Sequence, residues 1–163
     1  MNLEHFNTAP PDELRPVLAA CCDVPSWVAA ILAARPYGDL ETLTKVADEA
    51  ARALTDAEVA QALAAHPRIG DRAEGRTTEA AWSRKEQSGV GDDPATRAAL
   101  TAGNHAYEER FGRVFLICAT GLTADQMLTN LRARLTNDPA TEAAVVHEEL
   151  RKIALLRLTK VIP

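Results

Sequence analysis

The stretch Thr55-Asp56-Ala57-Glu58-Val59-Ala60-Gln61-Ala62-Leu63-Ala64-Ala65-His66-Pro67-Arg68-Ile69-Gly70 decides the fold. Thr55 and Glu58 stand three residues apart, so each side chain can accept the other's backbone N–H, the reciprocal arrangement of a capping box. Val59, Ala62 and Leu63 then recur at helical spacing and give one apolar face. Pro67 disfavours the α conformation in the residue before it, so the helix must end at His66. The start, the buried face and the end of a helix are all legible here, and no period-two alternation competes with them.

The same punctuation recurs on both sides. Upstream, Pro10 and Pro11 precede Leu14, Val17 and Leu18, and Pro25 precedes Trp27, Val28, Ile31 and Leu32. Asp39 caps a helix carrying Leu40, Leu43, Val46, Ala47 and Leu54. Downstream, a polar loop from Pro67 to Thr77 gives way to a helix from about Thr78 that carries Trp82, Ser83, Glu86 and Gln87 and breaks at Gly89 and Gly91. Asp93-Pro94 opens the next helix, through Leu100 and Tyr107 to Phe111, which stops at Gly112. Thr123 and Gln126 form a second capping box ahead of Met127, Leu128, Leu131 and Leu135. Asp138-Pro139 opens the last helix, with Val145, Val146, Leu150, Ile153 and Leu156. The run Val114-Phe115-Leu116-Ile117-Cys118 is continuously apolar, and periodicity leaves it either a buried extended piece or a buried helix start.

Composition agrees with this pattern. The 163 residues include 31 alanines and only 4% aromatics, a balance that favours helix over sheet. Hydrophobic residues make up 47%, enough for a core. The expectation is an all-α fold, one compact domain over residues 1–163 built from about eight short helices. A net charge of −5 with no dense basic run argues against a nucleic-acid partner. No apolar run approaches the ~18 residues of a membrane span. The opening residues have neither a basic nor an apolar leader region. Cys21, Cys22 and Cys118 form no C-x-x-C pair, which fits a reducing compartment and a cytoplasmic protein.

Four features could carry chemistry. His66 opens the long polar loop, where an imidazole can exchange a proton near neutral pH, or can simply interact with a helix C-terminus. Ser83, Glu86 and Gln87 share one helical face and could hold an oxygen- and nitrogen-rich ligand, or form a solvated face with Arg84 and Lys85. The run Phe115, Leu116, Ile117, Cys118 and Ala119, followed by Thr120-Gly121, could present backbone N–H groups to a ligand or be core. Arg157 lies among Leu155, Leu156 and Leu158, where its guanidinium either meets an anionic partner or snorkels at the rim of the core. The four histidines lack the spacing of a metal site, and no Gly-x-Ser-x-Gly elbow, Walker loop or Gly-x-Gly-x-x-Gly is present. No metal or cofactor is expected.

Three blocks give these features a context: His66-Pro67-Arg68-Ile69-Gly70, Ser83-Arg84-Lys85-Glu86-Gln87, and Asn104-His105-Ala106-Tyr107-Glu108-Glu109-Arg110-Phe111-Gly112-Arg113-Val114-Phe115-Leu116-Ile117-Cys118-Ala119. A weaker tail match runs from Leu131-Arg132-Ala133-Arg134-Leu135-Thr136-Asn137 through Glu142 and Ile153 to Arg157-Leu158. In this order the chain resembles the 2-oxo-4-hydroxy-4-carboxy-5-ureidoimidazoline (OHCU) decarboxylases, cofactor-free enzymes of the last step of urate oxidation to (S)-allantoin. The resemblance implies an all-helical homodimer with His66 as the acid-base residue and Glu86 as its catalytic partner. It also implies contacts to a small ureidoimidazoline substrate from Pro67, Ser83, Arg84, Lys85, Glu86, Gln87, Phe115, Leu116, Ile117, Cys118, Ala119 and Arg157. Arg68 departs from the family pattern, where many members carry Asp, as does Ser88-Gly89-Val90 in place of Ala-Gly-Leu. The rival expectation from another class is a non-catalytic helical module that binds a protein partner through an amphipathic face.

Overall fold

A computed structural model of the chain describes residues 1–71 and 74–163. Arg72 and Ala73, inside the loop expected between Pro67 and Thr77, lie outside the described residues. Among the described residues there are nine α-helices, one 3-10 turn at Ser88–Val90 and no strand. The helices are α1 Leu3–Thr8, α2 Pro11–Cys21, α3 Pro25–Ala33, α4 Leu40–Arg52, α5 Asp56–Leu63, α6 Thr78–Glu86, α7 Pro94–Phe111, α8 Ala124–Arg134 and α9 Pro139–Val161.

The helix starts follow the sequence signals atom by atom. Thr55 Oγ1 accepts the Glu58 N–H at 3.2 Å and Glu58 Oε1 accepts the Thr55 N–H at 3.0 Å. Thr123 and Gln126 repeat the exchange at 3.2 and 2.9 Å. Asp39 and Asp93 cap α4 and α7 by accepting the N–H of Thr42 at 2.7 Å and of Thr96 at 2.9 Å. Two elements differ from expectation. Helix α1 has only one buried apolar residue, Phe6, and so carries no periodic signal; Asn2 starts it by accepting the His5 N–H at 2.8 Å. Helix α5 ends at Leu63, three residues before His66. Its last turn tightens into i→i−3 bonds, Ala64 N–H to Gln61 and Ala65 N–H to Ala62, so the chain leaves the helix before Pro67 obliges it to.

The chain divides into two compact units, Met1–Ala65 with Leu150–Pro163, and His66–Glu149. In the first unit Phe6, Leu14, Leu18, Trp27, Ile31 and Leu43 are fully buried, and Trp27 Nε1 donates to the Ala47 carbonyl at 3.0 Å. The second unit is built on α7 and α8, which pack together where Gly103 leaves room for Leu131. Its core joins Ile69 of the loop after His66 to Leu100 and Tyr107 of α7, to Phe115, Ile117 and Ala119, and to Met127, Leu128 and Leu131 of α8. Residues 114–119, between α7 and α8, form neither helix nor strand, so the apolar run is not the start of a helix. With no ladder partner among the described residues, this segment needs side chains to satisfy backbone groups.

Candidate active site

The loop that follows His66 is pinned from two helices through its own backbone. Gln87, just past the end of α6, accepts the Gly70 N–H on Oε1 at 3.0 Å and donates from Nε2 to the Arg68 carbonyl at 3.5 Å. Asn104 of α7, almost fully buried, donates to the Ile69 carbonyl at 2.6 Å. Arg97, about two turns further back on α7, donates to the Gly70 carbonyl at 2.5 Å and the Gly91 carbonyl at 2.8 Å. Gly70 has φ +92, a left-handed conformation that favours glycine and turns its N–H toward Gln87. Arg68, the departure from the family pattern, finds a partner in Glu108 of α7 at 2.5 Å. The hydrogen bond from Arg68 holds the Glu108 carboxyl below its ordinary range.

A cleft of about 380 Å³ opens beside this loop in the second unit, lined among others by Gly70, Asp71, Ser83, Arg84, Gln87 and Arg97. Of the residues expected at the site, Ser83, Arg84 and Gln87 thus share one cavity. His66, Pro67, Lys85 and Glu86 are not among its lining. His66, Pro67 and Glu86 are half-buried, and Lys85 is exposed. Ser83 is buried, against the expectation of a solvated face. The amide of Gln87, an expected substrate contact, grips the loop at Gly70.

The apolar run is core on its side chains and anchored on its backbone. Phe115, Leu116, Ile117 and Ala119 are buried and Cys118 half-buried. Arg134 of α8 donates from Nη1 to the Leu116 carbonyl at 2.6 Å, and the Cys118 N–H donates to Glu149 Oε1 at 3.3 Å. Arg134 is itself held by Glu142, whose Oε1 accepts from Nε at 2.8 Å and Nη2 at 2.6 Å. The same oxygen accepts the Tyr107 hydroxyl at 2.5 Å, and Oε2 accepts from Asn137 at 3.0 Å. Burial would raise the Glu142 carboxyl, but the hydrogen bonds from Arg134, Tyr107 and Asn137 hold it below its ordinary value. Burial, and then the neighbouring Glu142, push the Tyr107 hydroxyl up to about 12.

Arg157 belongs to the first unit, where it is 3% exposed and donates from Nη1 to the Ala20 carbonyl at 3.1 Å. It is therefore a buried guanidinium and not one that snorkels at the rim of the core. Sequence reading passed over Arg97, Asn104, Arg134, Glu142 and Glu149. Asn104, Arg134 and Glu142 stand inside the quoted blocks, so a signal was there without a role attached. Arg97 carries no signal beyond its place on α7.

Comparisons with known proteins bear on the whole chain. The family model described as OHCU decarboxylase matches residues 7–159. A 2-oxo-4-hydroxy-4-carboxy-5-ureidoimidazoline decarboxylase of Amia calva is 33% identical over 141 residues, covering 85% of this chain and 81% of that protein. A uric acid degradation bifunctional protein of Bacillus sp. (strain TB-90) is 27% identical, and the match spans 99% of this chain but 32% of that longer protein. Among solved structures, an OHCU decarboxylase crystallised in the presence of (S)-allantoin shares the fold at a TM-score of 0.76, with 24% identity, over 90% of this chain and 96% of that one. With a family model spanning nearly all of its length and a relative one-third identical over most of both chains, the protein belongs to the OHCU decarboxylase family.

Proposed function

We propose that this protein decarboxylates 2-oxo-4-hydroxy-4-carboxy-5-ureidoimidazoline to (S)-allantoin and CO2, the last step of urate oxidation, without metal or cofactor. The observation that carries the reading is the family match over residues 7–159, which includes every block in which a site residue was expected. The substrate supplies its own electron sink. As the bond from the hydroxylated ring carbon to its carboxylate breaks, CO2 leaves and the electron pair forms a double bond to the ureido-bearing carbon. The C=N electrons move onto the ring nitrogen, which takes up a proton. The resulting enol then loses its hydroxyl proton and gains one at the ureido carbon, giving allantoin. The protein has to bind an anion, accept one proton and deliver another to a single face.

In this reading His66 is the acid-base residue and Glu86 orients its imidazole or binds the substrate hydroxyl. Ser83, Arg84 and Gln87 meet the ureido and ring polar groups from the cleft they share, with Pro67 and Lys85 beside them. The remaining substrate contacts, from Phe115, Leu116, Ile117, Cys118 and Ala119 and from Arg157, are those the resemblance implies. The protein acts as a homodimer, as the resemblance implies. Its cysteines are free thiols, which suits the cytoplasm. The protein-interaction alternative finds little to stand on. Met1, Leu40 and Leu156 are the large apolar side chains exposed among the described residues, and they are scattered along the chain.

The test is CO2 release from substrate generated in situ, with and without exhaustive EDTA or phenanthroline. Turnover above spontaneous decay that survives chelation is expected. Decay no faster than without protein would overturn the proposal, and loss of turnover restored by a divalent ion would overturn its cofactor-free form.

A further inference from the structure

We propose that the buried group Tyr107, Arg134 and Glu142, with half-buried Asn137 beside it, is a positioning device that fixes the Leu116 carbonyl, and with it the segment Phe115–Ala119, in the register that receives substrate. The proposal rests on the function proposed above, but the geometry behind it does not. All three guanidinium nitrogens of Arg134 donate: Nε and Nη2 to one oxygen of Glu142 and Nη1 to Leu116. A planar fork held at one edge by a carboxylate has its other edge aimed, so the Leu116 carbonyl is fixed in direction as well as distance. The plane is fixed again from the sides. Arg134 lies 4.6 Å over the Phe115 ring, and Phe115 meets the Tyr107 ring edge-on at 5.2 Å. Tyr107 and Asn137 hold Glu142 in turn. Two residues on, Glu149 takes the Cys118 N–H, so the segment is gripped at alternate residues by buried charged side chains.

A purely stabilising role would be met as well by apolar side chains of similar volume, because taking both charges out of water offsets much of their attraction. What apolar residues cannot do is hold an isolated carbonyl in place. Without Arg134 the Leu116 carbonyl must turn to find another donor, and the segment turns with it.

Arg134→Met alone would leave a buried carboxylate uncompensated, so the test uses the triple variant Tyr107→Phe, Arg134→Met, Glu142→Leu alongside Arg134→Lys, in the full-length protein. The triple variant is expected to keep its helical circular dichroism while KM for the ureidoimidazoline rises roughly tenfold or more, with a smaller change in kcat. Cys118, half-buried on the segment, should react several-fold faster with an aromatic disulfide, against a Cys118→Ser control. Arg134→Lys keeps the charge but lacks the fork, and should give an intermediate KM. A triple variant with wild-type KM would overturn the inference, whatever its thiol reactivity. If that variant does not fold, Arg134→Lys with wild-type KM overturns it equally. Should the wild-type protein show no turnover, the proposed function fails first, and unchanged Cys118 reactivity in the variants would dispose of the positioning device independently.

Discussion

The loop that follows His66 is held at three successive residues, because Arg68, Ile69 and Gly70 each give at least one backbone group to a side chain of Gln87, Asn104 or Arg97. A proton donor on such a loop returns to the same place in every turnover. His66→Ala should therefore leave the fold intact and lower kcat by roughly 10²–10⁴-fold, the usual worth of a positioned acid-base group. Glu86→Gln should lower kcat with little change in thermal midpoint. Circular dichroism together with steady-state rates checks both, and a folded His66→Ala protein with near wild-type turnover would remove the assignment. The Arg68 pair with Glu108 is of a different kind. Arg68 is half-exposed, so water screens the pair and its loss should change stability little.

At the scale of the element, what the sequence makes legible is whatever is local. The capping boxes at Thr55 and Thr123, the aspartate caps at Asp39 and Asp93 and the prolines opening α3, α7 and α9 are interactions between residues a few positions apart. What stays hidden is non-local. Asn104 meets Ile69 across 35 residues, and Arg134 reaches Leu116 across 18, so no window of sequence shows them as partners. The apolar run could not be told from a helix because its anchors are side chains on α8 and α9, not a neighbouring strand. Gly89 shows the same limit. It reads as a helix breaker, yet a Cβ there would lie 1.9 Å from the Leu122 carbonyl oxygen, which is backbone and cannot step aside. Gly89→Ala should cost well above the ~1 kcal/mol of an ordinary substitution. Gly103→Ala meets only the tip of the Leu131 side chain at 2.8 Å and regains helix propensity, so it should be much milder. Denaturant midpoints compare the two, and equal losses would contradict the packing described.

The Glu142 network also sets how the second unit responds to acid. Its carboxyl is held below the ordinary 4.5, so the unfolded chain takes up the proton first as pH falls. The stability this group contributes is complete above about pH 5 and drains away as pH drops through its folded value. Tyr107 acts at the other end. Its hydroxyl is raised from 10.0 to about 12, so its contribution is full below pH 10 and is lost on rising toward 12. Glu142→Gln should flatten the acid limb of stability between pH 5 and the folded value, and Glu142→Ala should cost about 3 kcal/mol or more at neutral pH. Chemical denaturation across that range reads both, and an acid limb as steep in Glu142→Gln as in wild type would place the acid-sensitive group elsewhere.

For the molecule as a whole, the family match runs through both compact units, from residue 7 to 159, and the expected site residues fall in both, with Arg157 in the first and the remainder in the second. All-α class and family were legible from punctuation and from ordered blocks. Protonation of the enol on one face by His66 is the central claim, and the stereochemistry of the product tests it most directly, because an enol held in a site meets its proton donor on one face whereas the same enol in water is protonated on both. Substrate generated in situ and followed by circular dichroism at early times, in D2O, should give (S)-allantoin carrying deuterium at the new stereocentre at the enzymatic rate, and the His66→Ala variant should drift toward racemic product as spontaneous decay competes. Racemic allantoin formed at the accelerated rate would mean that the intermediate leaves before it is protonated, and would contradict the role given to His66.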